Sequence, residues 1–223
     1  MSSPGGVSAW LLMTVGDDRQ HGGNAGYDDQ ADVYYTWDST VPNHTQLKVG
    51  DPIALWDKER LLGLSVIEEI QTETKDKLLF KCPTCSKAGI KARKNKSPRY
   101  KCYKCGHEFD KPETQTATVV EYRSRHDAAW TSLEDLLPGR DLRDLCDSPK
   151  SQLSMRQLNW DAYQQSLTDK GAQRAVDRVL DRAAPEFLLS AGPLTRIRAR
   201  SSRSAAVPGA PARPARAALR LHG

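Results

Sequence analysis

The sequence predicts an α+β fold: a small, closed or nearly closed β-sheet, interrupted by a four-cysteine insertion and followed by helices. Three observations carry this. Short apolar runs separated by turn residues recur through residues 8–128. Two Cys-x2-Cys pairs stand at 82–85 and 102–105. Helical spacing of apolar residues begins only beyond Asp127.

Element by element, "SAWLLMTV" (8–15) reads as a buried strand, and the polar, Gly-rich run after it as a long loop. "VYYTW" (33–37) has the Val, Tyr and Trp content of a strand. The Val-Gly-Asp-Pro turn precedes a strand "IALW", and "LLGLSVI" follows at hairpin distance, with Gly63 allowing a bend or a close approach. "KLLF" leads into the cysteines, and "TATVVEYRS" (116–124) resumes strand character after them. "TSLEDLL" (131–137) carries a helix-capping signature at Thr131 or Ser132. "SQLSMRQLNWDAYQQSL" (151–167) places Leu153, Met155, Leu158, Trp160, Tyr163 and Leu167 at helical intervals, a face suited to docking on the sheet.

These elements divide the chain into a barrel at 8–128, a ribbon at 81–111 inserted in it, a helical extension at 129–170 and a tail at 171–223. The tail uses Arg without Lys and mixes it with Ala and Pro, with no hydrophobic period. It reads as a disordered basic arm, or as the product of a shifted GC-rich reading frame.

The formal net charge of +5 is unevenly spread. Residues 81–111 hold ten Lys/Arg against two acids, and 171–223 hold ten Arg against three. The remainder is acidic, so the insertion rather than the body is placed to meet a polyanion. The longest apolar run, at 9–15, is too short to span a bilayer and lacks the flanks of a secretory signal, which predicts a cytoplasmic protein without a membrane partner.

Four of the five cysteines form the pattern C-x2-C … C-x2-C, with sixteen residues between the pairs. Each pair on a tight turn supplies one edge of a tetrahedron, so Cys82, Cys85, Cys102 and Cys105 are the expected ligands of a zinc ion. Four thiolates leave no open position for water, which makes that zinc structural. The intervening basic loop would project Lys91, Arg93, Lys94 and Lys96 toward phosphates, with a solvated charged loop as the alternative. Cys146, without a nearby partner, reads as a packed thiol. No metal-hydrolase spacing, nucleophile elbow or phosphate loop occurs, so the sequence argues for a binding module with no catalytic residues.

"YYTWDSTVPNH" (34–44) crowds three aromatics against a carboxylate and several hydrogen-bonding side chains. Those are the residue types that stack on a flipped base and read its pairing edge. The run "WDSTVPNH … LKVGDPIALWDKERLLGLSVIEEI", the four-cysteine segment and "PRYKC … EFDKPETQTATVVEYRS" resemble the N-terminal reader domain of actinobacterial HNH-type modification-dependent endonucleases. The resemblance covers roughly residues 8–170. It implies a PUA-like barrel of the SRA or EVE kind that flips modified bases, chiefly 5-methylcytosine, out of double-stranded DNA. The tail holds no His-Asn-His constellation, so the resemblance implies the reader alone, with its nuclease lost or supplied elsewhere.

On this resemblance, Tyr35 and Trp37 are the stacking candidates, with Tyr34 and Tyr27 in reserve. A place in the core is the alternative for the first two. Asp38 would accept from the cytosine amine, or simply form a turn, and Ser39 would contact base or phosphate. Asn43, His44 and Asn24 would hold the backbone around the flipped nucleotide. RNA recognition by a PUA-like barrel, and a zinc-stabilised interaction protein without nucleic-acid binding, are the competing functional readings.

Overall fold

The computed structural model describes residues 8–14 and 27–183. Asn24, most of the Gly-rich loop and the Arg/Ala/Pro segment beyond Ala183 lie outside the described residues. In chain order the elements are β1 (Ala9–Met13), β2 (Tyr34–Asp38), β3 (Pro52–Trp56), β4 (Leu61–Val66), β5 (Glu69–Lys81), β6 (Tyr100–Lys101), β7 (Glu108–Phe109), β8 (Glu113–Arg125), β9 (Thr131–Ser132), α1 (Gly139–Asp144), β10 (Met155–Leu158), α2 (Trp160–Asp169) and α3 (Gln173–Leu180).

The strands form a five-stranded sheet, β10-β1-β3-β4-β9, a three-stranded sheet, β2-β8-β5, and the small pair β6-β7. The fold is therefore mixed α+β. Among the described residues the sheets are separate ladders packed on each other, with no closed barrel. β1 runs parallel to β3 and antiparallel to β10.

The apolar composition of β1 and β3 follows from burial on both faces. Trp10, Leu12, Ile53 and Leu55 pack with Tyr35 and Trp37, and with the partly buried Ile70 and Tyr122, in a core between the two sheets. Their alternates Ala9, Leu11, Ala54 and Trp56 pack against Leu142, Trp160, Tyr163, Leu167, Val176 and Val179 of the helices. Side chains alternate along a strand, so a strand covered on both faces must be apolar throughout. At the edge of the inner core, buried Trp10 donates through Nε1 to Asp51 at 3.0 Å.

Three expectations are corrected. The segment 131–137 is no helix: Thr131 and Ser132 pair with Leu64 and Gly63 at the sheet edge, and Asp135 turns at φ 62°. A capping signature needs a following apolar face, and here sheet pairing outcompetes it. The helix expected over 151–167 begins only at Trp160, with Asn159 accepting from the Ala162 amide as its cap. Its first part is β10, because Met155–Leu158 satisfies the free edge of β1. Finally, the expected tail starts with an ordered helix, α3, which buries Ala175, Val176, Val179 and Leu180.

Gly63 has the close approach anticipated for it. A Cβ there would lie 2.4 Å from the Trp130 ring and 2.7 Å from the Thr131 carbonyl oxygen. Gly63→Ala is expected to lower stability by about 1–3 kcal/mol through overpacking. Urea unfolding measures this, and an unchanged midpoint would contradict the packing of Trp130 over β4.

Candidate functional site

The cysteine segment folds as two matched turns. Ser86 N–H donates to the Cys82 carbonyl at 2.9 Å, and Gly106 N–H donates to the Cys102 carbonyl at 2.8 Å. Ser86 and Gly106 both take positive φ, 55° and 79°, so that the chain reverses behind each pair. The four sulfurs lie within 4.8 Å of one another. The pairs Cys82–Cys105 and Cys85–Cys102 stand 3.6 Å apart. A tetrahedron of Zn–S bonds places its sulfurs roughly 3.8 Å apart, so these cysteines could hold a metal ion and their geometry is consistent with zinc. Burial opposes ionisation of Cys102, but the amides of Cys105 and Lys104 donate to its sulfur and bring its pKa down to about 6. A small core of Phe80, Ile90, Tyr100 and Phe109 packs beside the cluster.

The ribbon is placed by the ladder beneath it. β5 and β8 pair over thirteen consecutive positions, a run of about 40 Å. β2 covers only the basal part of β8, Glu121–Arg125. At the far end Ala88 bridges to Lys81, and Ile90 N–H donates to the Phe80 carbonyl, which sets Lys91 beside β5.

The basic candidates separate in consequence. Lys91, Lys94 and Lys96 are exposed, whereas Arg93 is used internally. The Arg93 guanidinium forks onto Glu108 at 3.1 and 3.0 Å and also donates to the Pro98 carbonyl. Arg93, Lys94, Lys96 and Arg99 share a shallow cleft with Asp110. Tyr103, which the sequence did not single out, stands 85% exposed at the tip of the second cysteine turn.

In the aromatic stretch, Tyr35 and Trp37 are 0% exposed and belong to the core between the sheets. Trp37 stacks on Tyr122 with ring centroids 5.2 Å apart, and its indole donates to the His44 carbonyl at 2.9 Å. The structure thus gives both rings the core alternative, leaving neither with a free face. Strand alternation puts Thr36 and Asp38 on the opposite face. Ser39 is tied to Val120 by two bonds, its amide donating to the carbonyl and its hydroxyl accepting from the amide. Asn43 turns at φ 69° and donates to the Met155 carbonyl, and the His44 ring lies 3.1 Å from the Val41 carbonyl. Tyr34 donates to Asp28, and Arg123 lies over its ring.

Asp38 is the polar centre of the stretch. Its carboxylate accepts from Tyr27 Oη at 2.7 Å, Lys77 Nζ at 2.5 Å, and the Thr40 amide and hydroxyl at 2.7 and 2.6 Å. Burial alone would raise its pKa, but the bonds from Lys77, Thr40 and Tyr27 outweigh it and hold the group below the ordinary 3.8. Asp38 does form a turn, through Thr40, and it also anchors a lysine brought across β8 from β5.

Tyr27, Thr40, Val41, Pro42 and Lys77 form one wall of a cavity of about 610 Å³, continued by Ala88, Gly89 and Lys91 of the ribbon. The other wall is Met13, Lys58, Arg143, Leu153 and Arg156. Such a volume suits a nucleotide-sized ligand. The lining has five cations and no carboxylate. The sequence reading found Tyr27 and Lys91 but missed Thr40, Lys58, Lys77, Arg143 and Arg156. One available signal was Arg156 itself, a lone cation set among the apolar residues of "LSMRQL".

No family model, curated protein or solved structure matches this chain. No described helix is long and apolar enough to cross a membrane.

The Asp38–Lys77 pair is nearly closed to solvent, with side-chain exposures of 2% and 11%. Removing one partner leaves the other charge buried, so Asp38→Ala is expected to cost about 3 kcal/mol or more. Asp38→Ala combined with Lys77→Met should be more stable than Asp38→Ala alone, and strict additivity in urea unfolding would refute the coupling. Because the folded-state pKa of Asp38 is depressed, its contribution is complete above the unfolded-state range and is lost as pH falls through the folded value.

Proposed function

We propose that this chain is a DNA-binding module that recognises modified DNA, with 5-methylcytosine the first candidate, by taking a flipped base into the cavity beside Asp38. The observation that supports it most is the cavity's lining. One wall comes from the turn that follows the aromatic strand, and the rest of the lining carries cations from the body and from the ribbon. A flipped nucleotide needs a flat apolar surface, groups for its pairing edge and cations for its phosphates. Tyr27 supplies a ring, Val41 and Pro42 supply apolar contact for a methyl group, and Thr40 supplies a hydroxyl.

In this reading Asp38 fixes Tyr27, Thr40 and Lys77 at the pocket wall, and its own reach to the base runs through Thr40 and Tyr27. Tyr35 and Trp37 act as the rigid floor under that wall. Ser39, Asn43 and His44 hold the turn rather than the nucleotide. The body is a two-sheet form of a PUA-like domain, and zinc in the cysteine cluster fixes the ribbon so that Lys91, Lys94 and Lys96 face the duplex backbone. The module binds and carries out no chemistry of its own.

Fluorescent duplexes with and without 5-methylcytosine test this. The methylated duplex should bind about tenfold tighter, a difference near 1.4 kcal/mol. Tyr27→Ala should narrow that gap, and equal affinity of the wild type for both duplexes ends the reading. Tighter binding of single-stranded RNA than of methylated duplex would move the function to RNA. Replacing Lys91, Lys94 and Lys96 with Glu should weaken binding to either duplex and flatten its salt dependence.

The metal has its own readout. Native mass spectrometry should find one zinc ion per chain, absent from Cys102→Ser. Chelation should raise amide exchange across 82–109 while β1 and β3 stay protected. A chain that carries no metal and keeps those amides protected would refute the role of zinc.

A further inference from the structure

The wall of the cavity opposite Asp38 holds body cations that the base-reading proposal invokes only collectively, and their arrangement is specific. Arg156, on β10, is 4% exposed. Its Nε donates to the Leu153 carbonyl at 2.8 Å, while its Nη1 is buried without any partner. Arg143, in the last turn of α1, lies beside it. The two guanidinium carbons stand 5.0 and 5.6 Å from the centre of the same ring, Trp56. Neither arginine makes an ion pair among the described residues. Burial and the like charge of Arg143 lower the pKa of Arg156, and the nearby Cys146 thiol, itself pushed up to about 11 by burial, supplies no counter-charge.

Two like charges held at one buried ring, with no acid between them, cost free energy that protein structures ordinarily offset with a counter-ion. Elsewhere along the same cavity the fold shows that practice, since Lys77 is neutralised by Asp38. Lys58 joins the two arginines in the lining, so three cations there carry no acidic partner among the lining residues. Planar guanidiniums present paired donors that match the oxygens of a tetrahedral oxyanion.

We propose that Arg143 and Arg156, assisted by Lys58, form a binding site for a phosphate group. The site extends the cavity's chemistry without depending on base recognition. The phosphate belongs either to a nucleic-acid backbone or to a free nucleotide.

The test titrates the folded chain with inorganic phosphate against chloride at fixed ionic strength, following thermal stability and the phosphorus resonance of the ligand. Phosphate should stabilise the wild type, and Arg143→Gln and Arg156→Met should each weaken binding by about tenfold or more. Arg140→Gln, an exposed arginine on the same helix, should leave it unchanged. Should Arg156→Met fail to fold, Arg143→Gln decides. A wild type that responds to phosphate as to chloride, or variants that bind like the wild type, would overturn the site. Displacement of phosphate by a nucleoside 5′-monophosphate, or by a short duplex, supports the site and identifies the source; displacement by neither overturns it. Methylated and plain duplexes that displace phosphate equally would keep this site and end the base-reading proposal.

Discussion

The ladder between β5 and β8 is the constraint on which the rest of this structure depends. Thirteen continuous pairs make one stiff ribbon out of two segments separated by the cysteine insertion. Its base joins the core through Ile70 and Tyr122, which pack with Trp37 and Ile67. Its far end carries the four sulfurs. Between the two, the Lys77 side chain reaches from the ladder to Asp38 of β2, so a single ion pair links the ribbon's course to the turn beside the core. The cavity follows from this, because its lining draws on the turn, the ladder and the cysteine segment together.

That arrangement divides labour among residues which look alike in the sequence. Tyr27, Tyr34, Tyr35 and Trp37 are close neighbours, yet two are core and two are not. Strand alternation along β2 separates Tyr34 from Tyr35 and Trp37, while Tyr27 lies ahead of the strand. Arg93 and Lys91 stand two positions apart in one basic run, yet Arg93 is consumed by Glu108 and Pro98 while Lys91 lines the cavity. In each case the local chemistry was visible and its direction was not.

The same distinction explains what could be read without coordinates. β1 and β3 were legible because burial on both faces demands an unbroken apolar run, and β4 because its apolar residues follow at hairpin distance. The cysteine cluster was legible because ligand spacing is set by the metal's tetrahedron. β10 was misread as helix, since Met155 and Leu158 stand at a helical interval of three, whereas the open edge of β1 makes the segment a strand that sends them into opposite cores. Asp38 was legible as a turn residue, but its partner Lys77 is 39 positions away and no local pattern announces it. Arg143 and Arg156 meet only because α1 and β10 flank Trp56.

The pairing of β1 has a consequence for how the chain is made. Ala9–Met13 is an interior strand of the larger sheet, with β3 on one side and the edge strand β10 on the other. Its register on β10 joins Ala9 to Leu158, so one edge of an almost wholly apolar strand stays open until that distant segment has been synthesised. Non-local pairing of this kind folds slowly, and an open apolar edge is a template for pairing with another chain. During synthesis, therefore, β1 is among the first parts of this fold to leave the ribosome and among the last to be closed.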